Sequence, residues 1–251
     1  MGFTYKQHAI ANPTMGGGTT GAVTINGVSA ASLLVLYTLS VDSRTLSGVS
    51  DGTNTWQDSG TGKDVSGTNF DFHQPAYALN VPSGSYTITV TLNATSTTLW
   101  LVVVEYASIA TSSALDQAGG NSDGGSAGQS LTVPAAALTT AAVPELWLAC
   151  GYASALSGRD FNAVSGWTRD VQETNAGAGP YFSVWSQESN SATSAQITLT
   201  TNPNNQFYAG FLLAFKEAAA AVSPSTGLPD TLAERSGQAP YAQVLISGGL
   251  F

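Results

Sequence analysis

The segment Tyr86-Thr87-Ile88-Thr89-Val90-Thr91-Leu92 alternates strictly, with Thr87, Thr89 and Thr91 on one face and apolar side chains on the other. A period of two places every second residue on the same side of an extended chain, whereas a helix would scatter the threonines around its circumference. The same kind of signal recurs along the chain. Thr20–Val28 alternates and carries the turn dipeptide Asn26-Gly27. Ser32–Leu39, Leu99–Tyr106 and Glu145–Tyr152 are apolar runs long enough for buried sandwich strands. Trp167–Glu173, Tyr181–Gln187, Ala195–Thr201 and Gln206–Lys216 complete the set, separated by loops rich in Gly, Ser, Asn and Asp. The strongest helix candidate is short, Glu217–Val222.

Composition supports an all-β reading and excludes several functions. Charged residues make up 9% of the chain, against roughly 25% in an ordinary soluble domain. Seven Lys+Arg and a net charge of −9 cannot build a basic nucleic-acid footprint. A hydrophobic content of 43% is too high for a disordered acidic tail. The N-terminus shows no positive segment followed by an apolar core, and no apolar run approaches the length of a membrane span. The expectation is therefore synthesis in a cytosol, with no membrane and no nucleic acid as partner. Cys150 stands alone in an apolar stretch and reads as a buried small hydrophobe.

The chain looks duplicated. Trp56 and Trp167 lie 111 residues apart, Ile88 and Ile197 109, and Leu34 and Leu146 112. In each half an apolar strand, a tryptophan turn, an aromatic strand, a Thr-rich strand and a second apolar strand follow in that order. Each half could be a small sandwich of its own, or the two could form one larger sandwich. The second is favoured, because Gly119–Ser130 reads as a loop and not as a domain linker. The expected organisation is an N-terminal arm over 1–19, a β-sandwich over 20–216 with halves at about 20–118 and 131–216, and a C-terminal arm over 217–251. The last arm is polar, spaced by Pro224, Pro229 and Pro240, and ends in apolar residues. Tyr241, Val244, Leu245, Ile246, Leu250 and Phe251 suit contact with a neighbouring subunit or addition of a strand to it.

Catalytic motifs are weak. Asp71 and His73 share a strand face, but a metal site needs three or more ligands, and the pair reads as hydrogen-bonded surface residues. Gly48-Val49-Ser50-Asp51-Gly52 and Gly124-Gly125-Ser126-Ala127-Gly128 match a nucleophile-elbow spacing without the strand-to-helix context or a well-placed later histidine that the chemistry requires. Gly16, Gly18 and Gly21 lack the flanking strand and helix of a dinucleotide site. Asp51, Asn54 and Asp58 read as turn formers and not as calcium ligands. Glu105, Glu145 and Glu188 are the carboxylates a glycosidase would need to bring together. No catalytic residue, metal or cofactor is assigned. Trp100 and Trp147 lie within apolar runs and read as core. Trp56 and Trp167 occupy equivalent positions after turns, and serve either as packing posts or as platforms for a glycan.

Asp51-Gly52-Thr53-Asn54-Thr55-Trp56, followed by Leu101-Val102-Val103-Val104-Glu105-Tyr106, resembles a pattern in structural proteins of tailed bacteriophages. There a turn of the type Asp-x-x-Gly-Asn-x-Trp precedes an apolar strand ending in Glu-Tyr, within a lectin-like jelly roll. Here Gly52 precedes Thr53-Asn54, and the second half keeps Gly166-Trp167 but replaces Glu-Tyr by Phe215-Lys216. The resemblance spans roughly residues 30–216. It implies an all-β, jelly-roll-like sandwich of two similar halves and a non-enzymatic virion component. Capsid decoration is the first expectation, with a tail-peripheral or fibre-associated role next and a carbohydrate-binding module or adhesin after that. The expected partners are other virion proteins, further copies of the chain (a trimer by fold analogy) and a host-surface glycan. The expected location is the virion, after synthesis in the host cytoplasm.

Overall fold

The computed structural model describes residues 2–218 apart from 14, 16, 42–43, 61–64, 67–69, 123–129, 141–143, 154–159, 174–180, 192 and 203–207. Every regular element among the described residues is a β-strand, as expected. The first half contains β1 (Thr4–Ala11), β2 (Thr20–Val28), β3 (Ser32–Val41), β4 (Leu46–Ser50), β5 (Trp56–Asp58), β6 (Val65–Ser66), β7 (Phe70–Val81), β8 (Gly84–Leu92) and β9 (Leu99–Ala107). The second contains β10 (Leu115–Ser122), β11 (Leu131–Thr139), β12 (Glu145–Ala153), β13 (Asp160–Phe161), β14 (Thr168–Glu173), β15 (Tyr181–Ser189), β16 (Ser194–Leu199), β17 (Thr201–Asn202) and β18 (Tyr208–Lys216).

The two halves repeat one topology. A large antiparallel sheet runs β1-β9-β3-β7-β5 in the first half, with β6 also on β7, and β10-β18-β12-β15-β14 in the second. A smaller sheet, β2-β8-β4, faces the first, and the pairs β11-β16 and β13-β17 take its place in the second. Each half closes a core of its own. In the first, Val23 and Ile25 of β2 and Ile88 and Val90 of β8 pack on Leu34, Leu36, Leu101 and Val103 of the large sheet. In the second, Val133, Ile197 and Leu199 pack on Trp147, Ala149, Trp185 and Leu212.

A third core lies between the two large sheets. Leu33, Val35, Tyr37, Val102, Val104 and Tyr106 from the first half meet Leu146, Leu148, Cys150, Tyr152, Phe211 and Leu213 from the second. The long apolar runs follow from this arrangement. Odd-numbered residues of β3 face the other half and even-numbered ones face the small sheet, so Leu33 to Tyr37 is apolar on both faces, with the buried polar Ser32, Thr38 and Ser40 toward the strand ends. At the centre, the Phe72 ring lies 5.0 Å from Phe211, 6.0 Å from Phe182 and 6.2 Å from Tyr152, centroid to centroid. Tyr77 meets Phe215 edge to face at 5.4 Å. The architecture is thus two small sandwiches packed large sheet to large sheet. Both sequence readings of the duplication contribute to it: each half closes a core of its own, and the halves pair through their large sheets within one compact unit.

The domain boundaries also shift. Residues 4–11, expected within an arm, form the outer strand of the first large sheet, with Ile10 opposite Val102 and Ala11 opposite Leu101. Ala9 and Ala11 pack on the first half's inner core, while Tyr5 and Ile10 pack on the middle one. The small alanines and the polar Thr4, Lys6 and His8 hid this strand from a hydrophobicity reading. Its counterpart β10 begins the second half at Leu115, inside the bounds expected for the first half (about 20–118), and runs into the Gly119–Ser130 stretch that reads as a loop. The pairing Leu33 with Tyr106 is matched by Leu146 with Phe215, and Leu34 with Glu105 by Trp147 with Ala214. The Glu-Tyr of the first half is therefore replaced by Ala214-Phe215, one residue before the place that spacing indicates. Glu217, expected to open a helix, instead bridges to Ile109. Residues 219–251, including Tyr241, Val244, Leu245, Ile246, Leu250 and Phe251, lie outside the described residues.

Truncating Phe72 to alanine removes a ring from the centre of the middle core. Phe72→Ala is expected to destabilise the protein by about 3–5 kcal/mol, read as a lower urea midpoint in equilibrium unfolding.

Candidate functional site

The turn before Trp56 is organised by one carboxylate. Asp51 Oδ1 accepts hydrogen bonds from the backbone N–H of Thr53 (2.9 Å) and Asn54 (2.7 Å). Its Oδ2 accepts from the Asn54 side-chain amide (2.7 Å) and from the Trp56 indole N–H (3.2 Å). Burial works to raise the Asp51 pKa, but the donors on Asn54, Thr53 and Trp56 outweigh it and hold the carboxyl below its ordinary value. This is Asx-turn chemistry, as expected for Asp51 and Asn54. Asp58 likewise accepts from the N–H of Gly60 (2.8 Å) and from the Gln74 amide. Among the described residues no group of three or more His, Cys, Asp or Glu could hold a metal ion.

Trp56 is half-buried and packs on the inner core of its half, so it is a packing post. It also lines a pocket of about 290 Å3, together with Ser47, Gly48, Gln57, Asp58 and Gln74. Trp167 packs similarly, on the second inner core, and lines a pocket of about 290 Å3 with Gln187, Glu188, Ser189, Ser194 and Gln196. That pocket is walled by β15 and β16, whereas β4, β5 and β7 wall that of Trp56.

A larger cleft of about 500 Å3 opens where the halves meet, lined by Tyr5, Tyr106, Thr168, Asp170, Gln187 and Glu188 among others. Across it the Tyr106 hydroxyl donates to Asp170 Oδ2 at 2.5 Å. Burial raises the Asp170 pKa, and hydrogen bonds from Ser186 and Tyr106 offset part of the rise. Burial also pushes the Tyr106 phenol well above its usual range, with the Asp170 charge adding to it. Tyr106 and Asp170 therefore serve as a fixed polar link between the halves. Sequence reading missed Asp170, because the two partners are separated by 64 residues and belong to different halves.

The carboxylates proposed for glycoside chemistry are not brought together. Glu105 is fully buried and accepts from the Gln7 amide (2.7 Å), the Ser29 N–H (2.8 Å) and the Ser32 hydroxyl (2.6 Å). It clasps β1, the β2–β3 turn and β9, and has no opening to a substrate. Glu145 is also fully buried, in the second half near Asp116, whose Oδ1 pairs with Lys216 Nζ at 3.2 Å. Burial, opposed by the Thr140 hydroxyl and Lys216 and reinforced by Asp116, pushes its pKa up to about 7. Glu188 lines the inter-half cleft and the Trp167 pocket.

The expected surface pair Asp71 and His73 is in fact buried. His73 Nε2 is hydrogen-bonded to the Ser40 hydroxyl at 2.7 Å, and Asp71 Oδ2 accepts from the Arg44 N–H at 2.7 Å. The long run of β7 is covered on both faces here, which alternation counted on Phe72 alone does not reveal. His8, on β1, is hydrogen-bonded through Nδ1 to the Tyr5 hydroxyl at 2.5 Å. Ser50 ends β4 and accepts from the Gly52 N–H at 3.2 Å, as an ordinary turn residue does. Ser126 lies outside the described residues. Cys150 and Trp147 are fully buried as expected, and Trp100 is half-buried against the middle core. No helix among the described residues is long and apolar enough to cross a membrane.

No family model matches the chain, and neither a curated protein nor a solved structure shows significant similarity to it.

Two measurements check the polar assignments. Unfolded, Glu145 titrates near 4.5, and folded near 7. Between those values the folded chain holds the extra proton, so this group's contribution to stability is complete below about pH 4.5 and falls as pH rises to 7. Glu145→Gln is expected to flatten that fall in urea unfolding followed from pH 4.5 to 8. Glu105→Ala leaves three donors without an acceptor in the interior and is expected to cost about 3 kcal/mol or more in unfolding free energy.

Proposed function

We propose that the chain is a non-enzymatic structural component of a bacteriophage virion, a capsid decoration protein held by its sheet edges and C-terminal segment. The observation that carries this reading is the chemistry of the small sheets. Their strands β2, β4 and β11 contain no Lys, Arg, Asp or Glu. Their exposed faces are hydroxyl ladders: Thr24 to Thr87 at 3.0 Å, Thr132 to Thr198 at 3.3 Å and Thr139 to Ser194 at 2.6 Å. Strand edges without charges invite pairing with another chain. In a free monomer that is a hazard, and in a lattice of neighbours it is a means of attachment.

Two further features support the reading. The chain of the first half passes back and forth between sheets, with β1, β3, β5, β7 and β9 in the large one and β2, β4 and β8 in the small one, an antiparallel sandwich arrangement that supports the reading. The resemblance carried by Asp51–Trp56 and by Glu105-Tyr106 falls on two anchoring points of the fold, the tryptophan turn and the end of β9. The partners in this reading are other virion proteins and further copies of the chain, a trimer by fold analogy.

Removing residues 219–251 tests it. The truncated chain is expected to keep the unfolding midpoint of the full chain, because β1–β18 remain intact, and to be absent from purified particles. In intact virions, mass spectrometry is expected to find the full chain at a copy number comparable to that of the major capsid protein. Normal incorporation of the truncated chain would refute attachment through the tail, and a few copies per particle would move the protein from capsid to tail.

A further inference from the structure

We infer that the open edge of β16 receives residues 242–246 of a second copy of the chain as an added antiparallel strand. The inference rests on the reading of attachment through sheet edges and the C-terminal segment, and it names the edge, the residues and their source.

The repeat shows where a strand is lacking. In the first half β8 is a central strand, with β2 on one side and β4 on the other. Its counterpart in the second half is β16, since Ile88 and Ile197 take matching places in the two inner cores. β16 pairs with β11 as β8 pairs with β2. Toward the other side, the two-residue β13 pairs with β17, and the Asn162 N–H donates to the Thr200 carbonyl at 2.8 Å. In the first half β4 goes on to pair Val49 with Val90 and Ser50 with Thr89. Among the described residues no strand does the same along Ser194–Leu199. Such an edge offers a row of backbone N–H and C=O groups to another chain.

Space and composition single out this edge. Ser194, Ala195 and Gln196 border the pocket of about 290 Å3 beside Trp167. Counting from Ile88 and Ile197, Ala195 stands in the place of Tyr86, and a methyl group fills less of the space under the edge than a phenol ring. The outer strands of the large sheets carry charges: Lys6 on β1, Asp58 on β5, Asp116 on β10, and Arg169, Asp170 and Glu173 on β14. β16 has none. β4 has none either, but a register shift between Leu46 and Gly48 interrupts its pairing.

The chain supplies a matching strand. It is tied down as far as Ala218, whose N–H donates to the Ser108 carbonyl at 3.0 Å, and residues 219–251 follow. No side chain after Arg235 is charged. Ala242-Gln243-Val244-Leu245-Ile246, between Pro240 and Gly248-Gly249, equals the 5 residues of β4 in length. Extended, it puts Ala242, Val244 and Ile246 on one face, and small and β-branched side chains suit a pleated surface. The stretch 219–241 reaches up to roughly 75 Å, against a diameter of roughly 45 Å for a compact domain of this length. The segment is therefore long enough to leave its own molecule. Folded back on its own edge, it would hide donor and acceptor together and leave nothing to hold a neighbour. Given to the next copy, it makes a head-to-tail contact that repeats from copy to copy and closes where the rotation allows a ring.

The test uses the full chain. Sedimentation over a wide range of concentration is expected to show reversible association of copies. Val244→Asp combined with Ile246→Asp puts charges into the added strand without touching β1–β18. It is expected to weaken association by about a hundredfold or more and to keep the thermal midpoint of the unaltered chain. In hydrogen exchange, the amides of Ser194–Leu199 are expected to gain protection as the unaltered chain is concentrated, and to gain none in that variant. Cysteine pairing identifies the source of the strand, because the native thiol of Cys150 is buried. Thr198→Cys in one copy and Gln243→Cys in another are expected to join as a disulfide-linked dimer on mild oxidation. Association that survives the Asp substitutions, or a disulfide that closes within one chain carrying both cysteines at high dilution, would each overturn the inference. A chain that stays monomeric in solution yet is present in virions would overturn the pairing between copies and leave attachment to the particle standing.

Discussion

The fold depends on one constraint: two large β-sheets must each bury both of their faces. A small sheet covers one face, and only the other half of the molecule covers the second. The middle core, with Phe72 inserted among Tyr152, Phe182 and Phe211, is therefore as much a part of each half as its own inner core. Taken alone, either half would expose a contiguous apolar surface built from the central strands, of the kind that soluble monomers rarely tolerate. The shortage of charge belongs to the same arrangement. With four layers stacked, few positions face water, and those that do are largely occupied by Thr, Ser and Asn.

Polar groups placed inside this stack act as fasteners. Glu105 ends β9 with its carboxylate filled by three donors, fixing the outer strand β1 and the turn that leads into β3. The next residue, Tyr106, points the other way and reaches Asp170 in the second half. A two-residue motif thus holds one half together with its first side chain and joins the halves with its second, because consecutive residues of a strand face opposite sides. Asp51 does comparable work at the surface, where one carboxylate shapes the turn and sets the indole of Trp56.

Much of this was legible in the sequence. Strict alternation over Tyr86–Leu92 and the strand-length apolar runs specify an all-β fold, and the recurrence near 110 residues exposes the duplication. What stayed hidden has physical causes. β1 carries alanines and polar residues because it is an outer strand that needs only partial cover, so it reads as an arm. Leu34 and Leu146 look equivalent because both are leucines in runs buried on two sides, where the sequence carries no face information; the register shows them facing different cores. The site residues divide similarly. Trp56, Trp167 and Asp51 stand out by type and spacing. Asp170 does not, since it matters through a partner in the other half.

The duplication has a consequence of its own. Two similar sandwiches joined face to face are a dimer written in one chain. A dimer of separate subunits must survive dilution and must present the same surface twice. Covalent linkage removes both requirements, since each half sees the other at an effective concentration on the order of millimolar, whatever the concentration of the protein. The interface is then free to become asymmetric. Glu105-Tyr106 at the end of β9 has become Ala214-Phe215 at the end of β18, and the fastener survives on one side only. The two tryptophan turns share the same freedom: each half keeps its tryptophan packed on its own inner core, while the residues around it have diverged.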